Sequence, residues 1–218
     1  DARSSLVGSE MCIRDSQMMV RAQSMPIMDL LANTTNTIAQ GEVLQLLNIR
    51  DPNTDEARYH EVIYAKTACL FEAAARIGAL LGAVPAEQEL ALQTYGKHLG
   101  VAFQLIDDAL DYSAQSDELG KNVGDDLAEG KPTLPLIRAM EVGNTDQKKL
   151  IRDAIENGRA DSFNEIHLAI QQSGALQYTI DKAQSEAELA KQQIACLEES
   201  PYKQALIFLA EYAVERRY

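Results

Sequence analysis

The chain has 218 residues, 46% of them apolar, and a formal net charge of −13. That length supplies one sizeable hydrophobic core, and the excess of carboxylates argues against a nucleic-acid surface or anchoring to an anionic membrane. Three cysteines, Cys12, Cys69 and Cys196, lie far apart without metal-ligand spacing, which fits reduced thiols in the cytoplasm, and no apolar run reaches the ~18 residues of a membrane span.

Residues 1–15, DARSSLVGSEMCIRD, show no helical periodicity and no signal-peptide core. They resemble adapter read-through and are expected to be a foreign leader, with the domain proper running over 16–218. From there the chain reads as helix almost throughout. Alternating β-branched runs are missing, and Ala, Leu, Gln and Glu dominate. A first helix is predicted over Gln17 to Leu47 with a break near Pro26. DPNTDEA then gives a turn, and Asp51 or Thr54 is expected to cap a long helix ending near Leu81. Pro85 opens the next helix, which runs to about Tyr112. Ser113 to Pro132 is rich in Gly, Asp and Lys and lacks periodicity, as functional loops do. Shorter helices are predicted from Thr133, Thr145, Asp161 and Gly174, and a last one from Pro201 to the end. With no repeat and no linker, the reading is a single all-α domain.

Chemistry gathers in three places. FQLIDDALDY, Phe103 to Tyr112, is apolar all round and yet holds Asp107, Asp108 and Asp111. Asp107 and Asp111 share a face, with Asp108 100° round and Gln104 one turn earlier. Carboxylates this close repel unless a cation neutralises them. Mg²⁺ suits them, since it takes oxygen ligands and commonly bridges one or two carboxylates to phosphate. The following loop carries Lys121 after Gly120 and Lys131 after Gly130, suited to closing over an anion. YAKT, Tyr64 to Thr67, sets a lysine beside a hydroxyl in an apolar stretch. Each alone also reads blandly, as a solvated acidic face, a polar connection and a snorkelling lysine. His60, His98 and His167 are scattered. Cys69 and Cys196 read as packed thiols, because no His or Asn is placed to activate either.

Together GEVLQLLN, YAKTACLFEAAA, FQLIDDALDY and LGKNVGDDLAEGKPTLPL resemble the later motifs of the trans-prenyl diphosphate synthases, in order and at similar spacing. The likeness is strongest to the bacterial octaprenyl branch and covers residues 16 to 218. It implies an isoprenoid-synthase helical bundle with a central substrate cavity. It also implies magnesium-dependent, head-to-tail condensation of isopentenyl diphosphate onto an allylic diphosphate, in a cytoplasmic homodimer that supplies a quinone side chain. By the same resemblance Asp107 is a direct Mg²⁺ ligand, with Asp108 and Asp111 binding through water or supporting it. Gln104, Lys66 and Thr67 hold the metal shell and the allylic diphosphate. Lys121 contacts the leaving diphosphate with Lys131 behind it, and Gln45 lines the cavity wall.

The family's first aspartate-rich motif and its Gly-Gly-Lys-Arg segment are not found upstream of Asp107. The expectation is therefore an incomplete bundle that is inactive alone. A non-catalytic helical subunit of a heteromeric synthase is the alternative, and a class I terpene cyclase a third reading. Intact Lys66, Gln104 and Lys121 beside DDALD speak against the subunit, and a cyclase does not predict the YAKT motif or the GK…GK loop. The residues that would set product length are also not found.

Overall fold

The computed structural model describes residues 21, 23–113, 124–158 and 162–216, so the expected leader, Cys12, Gln17 and Lys121 lie outside the described residues. Helix α1 spans Met25–Asn48 with Pro26 in its first turn, where a missing N–H costs no hydrogen bond. Arg21 is helical while Gln23 and Ser24 are not, so the helical run is broken just before Pro26, as expected.

The cap of the next helix also differs from expectation. Asp55, not Asp51 or Thr54, is the N-cap of α2 (Glu56–Ile63), accepting from Arg58 N at 2.9 Å. Asp51 is used one step earlier. Its carboxylate accepts from Asn53 N (3.0 Å) and the Arg58 guanidinium (2.7 Å), closing the turn, and so the helix starts later.

The predicted helix to Leu81 is present, with a change of register within it. After α2 the backbone takes a π turn over Tyr64–Ala68, the YAKTA segment, and resumes as α3 (Cys69–Leu81). Helix α4 (Ala86–Leu110) follows, opened by Pro85 as expected. Within the predicted loop, a short helix α5 (Asp125–Glu129) is bracketed by Gly124 and Gly130 at φ 86° and 74°. Both are left-handed positions that glycine adopts without strain. The helices α6 (Leu134–Val142), α7 (Thr145–Asn157), α8 (Phe163–Gln172), α9 (Ala175–Gln193) and α10 (Pro201–Glu215) complete the chain close to the predicted starts. Asn144 and Gln147 form a reciprocal capping box on α7, and Ser200 caps α10. Among the described residues there is no strand and no helix long and apolar enough to cross a membrane.

Helix α4 is the centre. It packs most extensively along α9 and α3, and it also touches the π turn, α6 and α10. The approach of α9 is close because its buried stripe is small: Ala175, Thr179, Ala183, Ala187 and Ala190. On α4, Val101, Leu105 and Ile106 join Tyr59, Ile63, Leu134 and Ile137 in one core cluster. A second cluster forms around α6, α7 and α8 with Leu136, Ile151, Ile155, Ile166 and Ile170.

Two helix-interior glycines let neighbours press on the π turn. A Cβ at Gly41 of α1 would stand 2.7 Å from Lys66 N, and one at Gly100 of α4 would stand 2.6 Å from the Cα of Ala68. Glycine inside a helix costs about 1 kcal/mol against alanine; close contact of backbones is what that cost permits. Gly78 of α3 has no such neighbour within 4 Å and is exposed. Gly100→Ala is therefore expected to destabilise the protein by about 1–3 kcal/mol through overpacking. Gly78→Ala should stabilise it by about 0.5–1 kcal/mol. Urea unfolding midpoints decide this, and equal stability of both variants would sink the close-approach account.

Candidate functional site

Seven of the residues singled out in the sequence meet at one cavity of about 250 Å³: Gln45, Lys66, Thr67, Gln104, Asp107, Asp108 and Lys131. The wall is completed by Asn48, Tyr59, Val62, Ile63, Asp126, Pro132 and Thr133. Five pieces of backbone thus converge: the end of α1, one face of α2, the π turn, the C-terminal half of α4, and the segment from α5 to α6. Asp111 is not on this wall, and Lys121 lies outside the described residues.

A hydrogen-bonded chain crosses three of these elements. The Thr67 hydroxyl donates to Gln104 Oε1 at 2.9 Å. Gln104 Nε2 donates to Asp108 Oδ1 at 2.7 Å. The Tyr59 hydroxyl donates to Asp108 Oδ2 at 2.6 Å. In its ionised form the Asp108 carboxylate only accepts, and this fixes the Gln104 amide with nitrogen inward and oxygen towards Thr67. The Thr67 proton is committed to that oxygen, which leaves the hydroxyl's lone pairs for the cavity.

The three carboxylates of α4 have separate situations. Asp108 is 4% exposed. Burial and then the charge of Asp126 push its pKa up to about 7, while Tyr59 and Gln104 act in the opposite direction. Asp111 ties down the start of α5, accepting from Gly124 N and Asp126 N at 3.3 Å each. Burial and Asp126 raise it to about 6. Asp107 is half-buried on the cavity wall and has no side-chain partner among the described residues.

The lysines are both held. Lys66 Nζ donates to Gln45 Oε1 at 2.6 Å and lies 3.3 Å from Glu42. Lys131 Nζ lies 3.0 Å from Asp126 and 2.8 Å from Glu129.

Among the described residues, no three His, Cys, Asp or Glu side chains are gathered to form a cation cage. The donor set suits a cation of another habit. One free carboxylate, Asp107, faces the cavity, with the hydrogen-bonded carboxylates of Asp108 and Asp111 on the same helix. That fits Mg²⁺, which keeps waters and takes one or two carboxylates together with phosphate oxygens. His98 is instead paired with Glu186 at 2.6 Å, and His60 with Glu56 at 3.6 Å. Cys69 is buried with its thiol on Ala65 O, and Cys196 is exposed.

Tyr59, Asp126, Glu42 and Glu129 escaped the sequence reading. Tyr59 had a usable signal, since it stands seven residues before Lys66 with Ile63 between them, on one helical face. Asp126 had none. Its place depends on the fold of a loop with no periodicity.

Residues 1–172 match the family described as polyprenyl synthetase. The chain is 49% identical over 219 residues to the octaprenyl diphosphate synthase of Haemophilus influenzae, an alignment covering 100% of this chain and 67% of that one. It is 48% identical over 217 residues to the octaprenyl diphosphate synthase of Escherichia coli, covering 99% and 67%. The polyprenyl synthase of Caulobacter crescentus, solved with calcium and isoprenyl diphosphate, superposes with a TM-score of 0.94 at 42% identity, covering 100% of this chain and 67% of that one. The decaprenyl diphosphate synthase of Rhodobacter capsulatus gives a TM-score of 0.90 at 38% identity, covering 98% and 66%. The chain spans about two thirds of the length of these relatives.

The buried carboxylate sets a pH dependence. An Asp in the unfolded chain titrates near ~3.9, whereas Asp108 in the folded state titrates at about 7. The folded state therefore binds more protons between those values, so this group's contribution is fully present below pH ~4 and is lost as pH rises towards 7. Without divalent cations, Asp108→Asn is expected to raise the thermal midpoint relative to wild type at pH 8 and to give no gain at pH 4. A difference between the two proteins that does not change with pH would refute the raised pKa.

Proposed function

The chain belongs to the polyprenyl synthetase family, and from that footing we propose that it carries the second aspartate-rich wall of a trans-polyprenyl diphosphate synthase. Such an enzyme joins isopentenyl diphosphate head to tail to an allylic diphosphate. The observation that carries this reading is the cavity itself. It sets two lysines, a free carboxylate and an amide–carboxylate chain around one space, with Val62 and Ile63 as apolar wall.

The chemistry asked of it is as follows. The allylic C–O bond breaks and its electron pair leaves with the diphosphate. The isopentenyl double bond attacks the allylic carbon to form the new C–C bond, and the C–H bond next to the resulting cation then breaks, its proton passing to the released diphosphate. Magnesium, when bound, neutralises charge on the leaving diphosphate.

The proposed roles of this chain's residues follow from their positions. Asp107 holds the metal, with Asp108 and Asp111 supporting it from behind. Lys66 and Lys131 offer point charges to the diphosphate oxygens, and Lys121 is proposed to join them from its loop. Thr67 and Gln104 present oxygen lone pairs, suited to metal-bound water and to developing positive charge at the allylic carbon. Gln45 keeps Lys66 on the wall. Val62 and Ile63 keep water from the reacting carbon. An octaprenyl product and a cytoplasmic setting are proposed from the likeness to the octaprenyl synthases. A homodimer is proposed as well, and the exposed stripe of Val43, Leu46 and Leu47 on α1 suits cover by another apolar surface.

Titration calorimetry with farnesyl diphosphate tests the reading. Binding is expected in Mg²⁺ and not in EDTA, and Lys66→Met should weaken it by about 10- to 100-fold, the worth of a charge-assisted hydrogen bond. Sustained incorporation of isopentenyl diphosphate is not expected from these 218 residues alone, which contain one DDxxD helix. Absence of magnesium-dependent binding would refute the proposal. Steady turnover would refute the need for a second such motif.

A further inference from the structure

The two lysines of the cavity share an unusual circumstance. Each is on the wall, and each is paired with a glutamate that is not. Glu42 of α1 is 52% exposed and stands 3.3 Å from Lys66. Glu129, at the end of α5, is 59% exposed and stands 2.8 Å from Lys131. Lys66 and Lys131 are less exposed than their partners, at 35% and 22%. The charge of Lys66 also reaches Glu129, so the two pairs stand near one another across the rim. Each lysine has in addition an anchor on the wall, Gln45 for Lys66 and Asp126 for Lys131. The anchors suffice to place the amines. The glutamates add only charge, from the solvent side.

We propose that Glu42 and Glu129 are displaceable counter-ions that occupy the two cavity lysines in the ligand-free protein, and that an entering diphosphate takes their place. This rests on the diphosphate reading above and deepens it. The exchange is chemically matched. A lysine ammonium has three donors and no preference for a planar partner, so a phosphoryl oxygen substitutes for a carboxylate oxygen without rearranging the stem. Exposed ion pairs are weak, so they yield readily to a multivalent anion. They also keep the ammonium groups from holding monovalent anions tightly. The two glutamates therefore lower the affinity for diphosphate while leaving its mode of binding unchanged.

The test is calorimetric titration of inorganic diphosphate in the presence of Mg²⁺. Glu42→Gln and Glu129→Gln are each expected to tighten binding by about two- to fivefold, the range an exposed ion pair supports. The double variant should show roughly the product of the two gains. Raising the salt concentration should shrink both gains, because exposed pairs are screened. Glu61→Gln removes an exposed charge from α2 that touches neither lysine, and it should bind as wild type does. In a Lys66→Met background the Glu42→Gln gain should vanish, a coupling that a general charge effect would not produce. All these glutamates are exposed, so folding is expected to be retained, and thermal midpoints check it.

Equal or weaker binding by Glu42→Gln and Glu129→Gln overturns the counter-ion role, and weaker binding would make the glutamates positioning residues instead. A gain of the same size in Glu61→Gln, or one that survives Lys66→Met, overturns it too. Failure of every variant and of wild type to bind diphosphate overturns the diphosphate reading itself. Binding that is lost in Lys66→Met but indifferent to both glutamates overturns only the inference made here.

Discussion

The site is organised by one buried carboxylate. Asp108 sits at 4% exposure on the central helix, where an unpaired charge would cost several kcal/mol. Two donors offset that cost, the Tyr59 hydroxyl and the Gln104 amide. Their geometry then constrains everything nearby. The amide of Gln104 has one allowed orientation, which in turn fixes the proton of Thr67. Tyr59 ties α2 to α4 across 49 residues of sequence. With Asp108 committed inward, its neighbour Asp107 is the carboxylate left for the cavity. A pair of adjacent aspartates is thus divided into a structural member and a free one.

The second constraint is backbone proximity at the π turn. Gly41 and Gly100 admit α1 and α4 against Tyr64–Ala68 at distances no side chain would permit. A π turn inside an α-helix is rare and tends to occur at functional sites. Here it displaces YAKTA from the regular helical register, and the consecutive residues Lys66 and Thr67 both reach the cavity. Lys66 meets Gln45 of α1, while Thr67 meets Gln104 of α4. The two helices admitted by the glycines are therefore the two that supply partners to the residues on the turn. Packing and site geometry are one arrangement.

Much of this was legible in the sequence, and the unread remainder has physical causes. Prolines and caps marked the helices from Pro85 onward, because those signals act locally. The apolar surroundings of the aspartates pointed to a central helix, and α4 is central. The break near Pro26 was legible because proline ends one helical run and suits the first turn of the next. Asp51 was a plausible cap, but its side chain was already used in closing the turn, and composition does not reveal such competition. The π turn left no trace, since YAKTA carries no proline or glycine to mark it. Asp111 was read as a supporting carboxylate on the same face as Asp107. Its attachment to the backbone of α5 follows from how the loop folds back, which no spacing rule encodes. Glu42 and Glu129 were unremarked for the same reason: their partners are distant or lie in the non-periodic segment.

Charge balance gives the final step. The cavity wall holds Asp107, Asp108 and Asp126 against Lys66 and Lys131, and both lysines are already paired. Such a wall does not attract a free diphosphate, since the carboxylates outnumber the cations. Nor does it cage a free divalent ion, because Asp108 is satisfied by its donors and Asp107 stands alone. Each ligand supplies what the other lacks. On the proposed function, a diphosphate would bring oxygens to a magnesium held by Asp107, and magnesium would bring the charge that lets a diphosphate approach the acids. Their affinities must then be coupled by the same factor in both directions, as linkage requires. Within the proposed function, a wall built this way would bind the metal–diphosphate pair as a unit and keep either component from occupying the cavity tightly on its own.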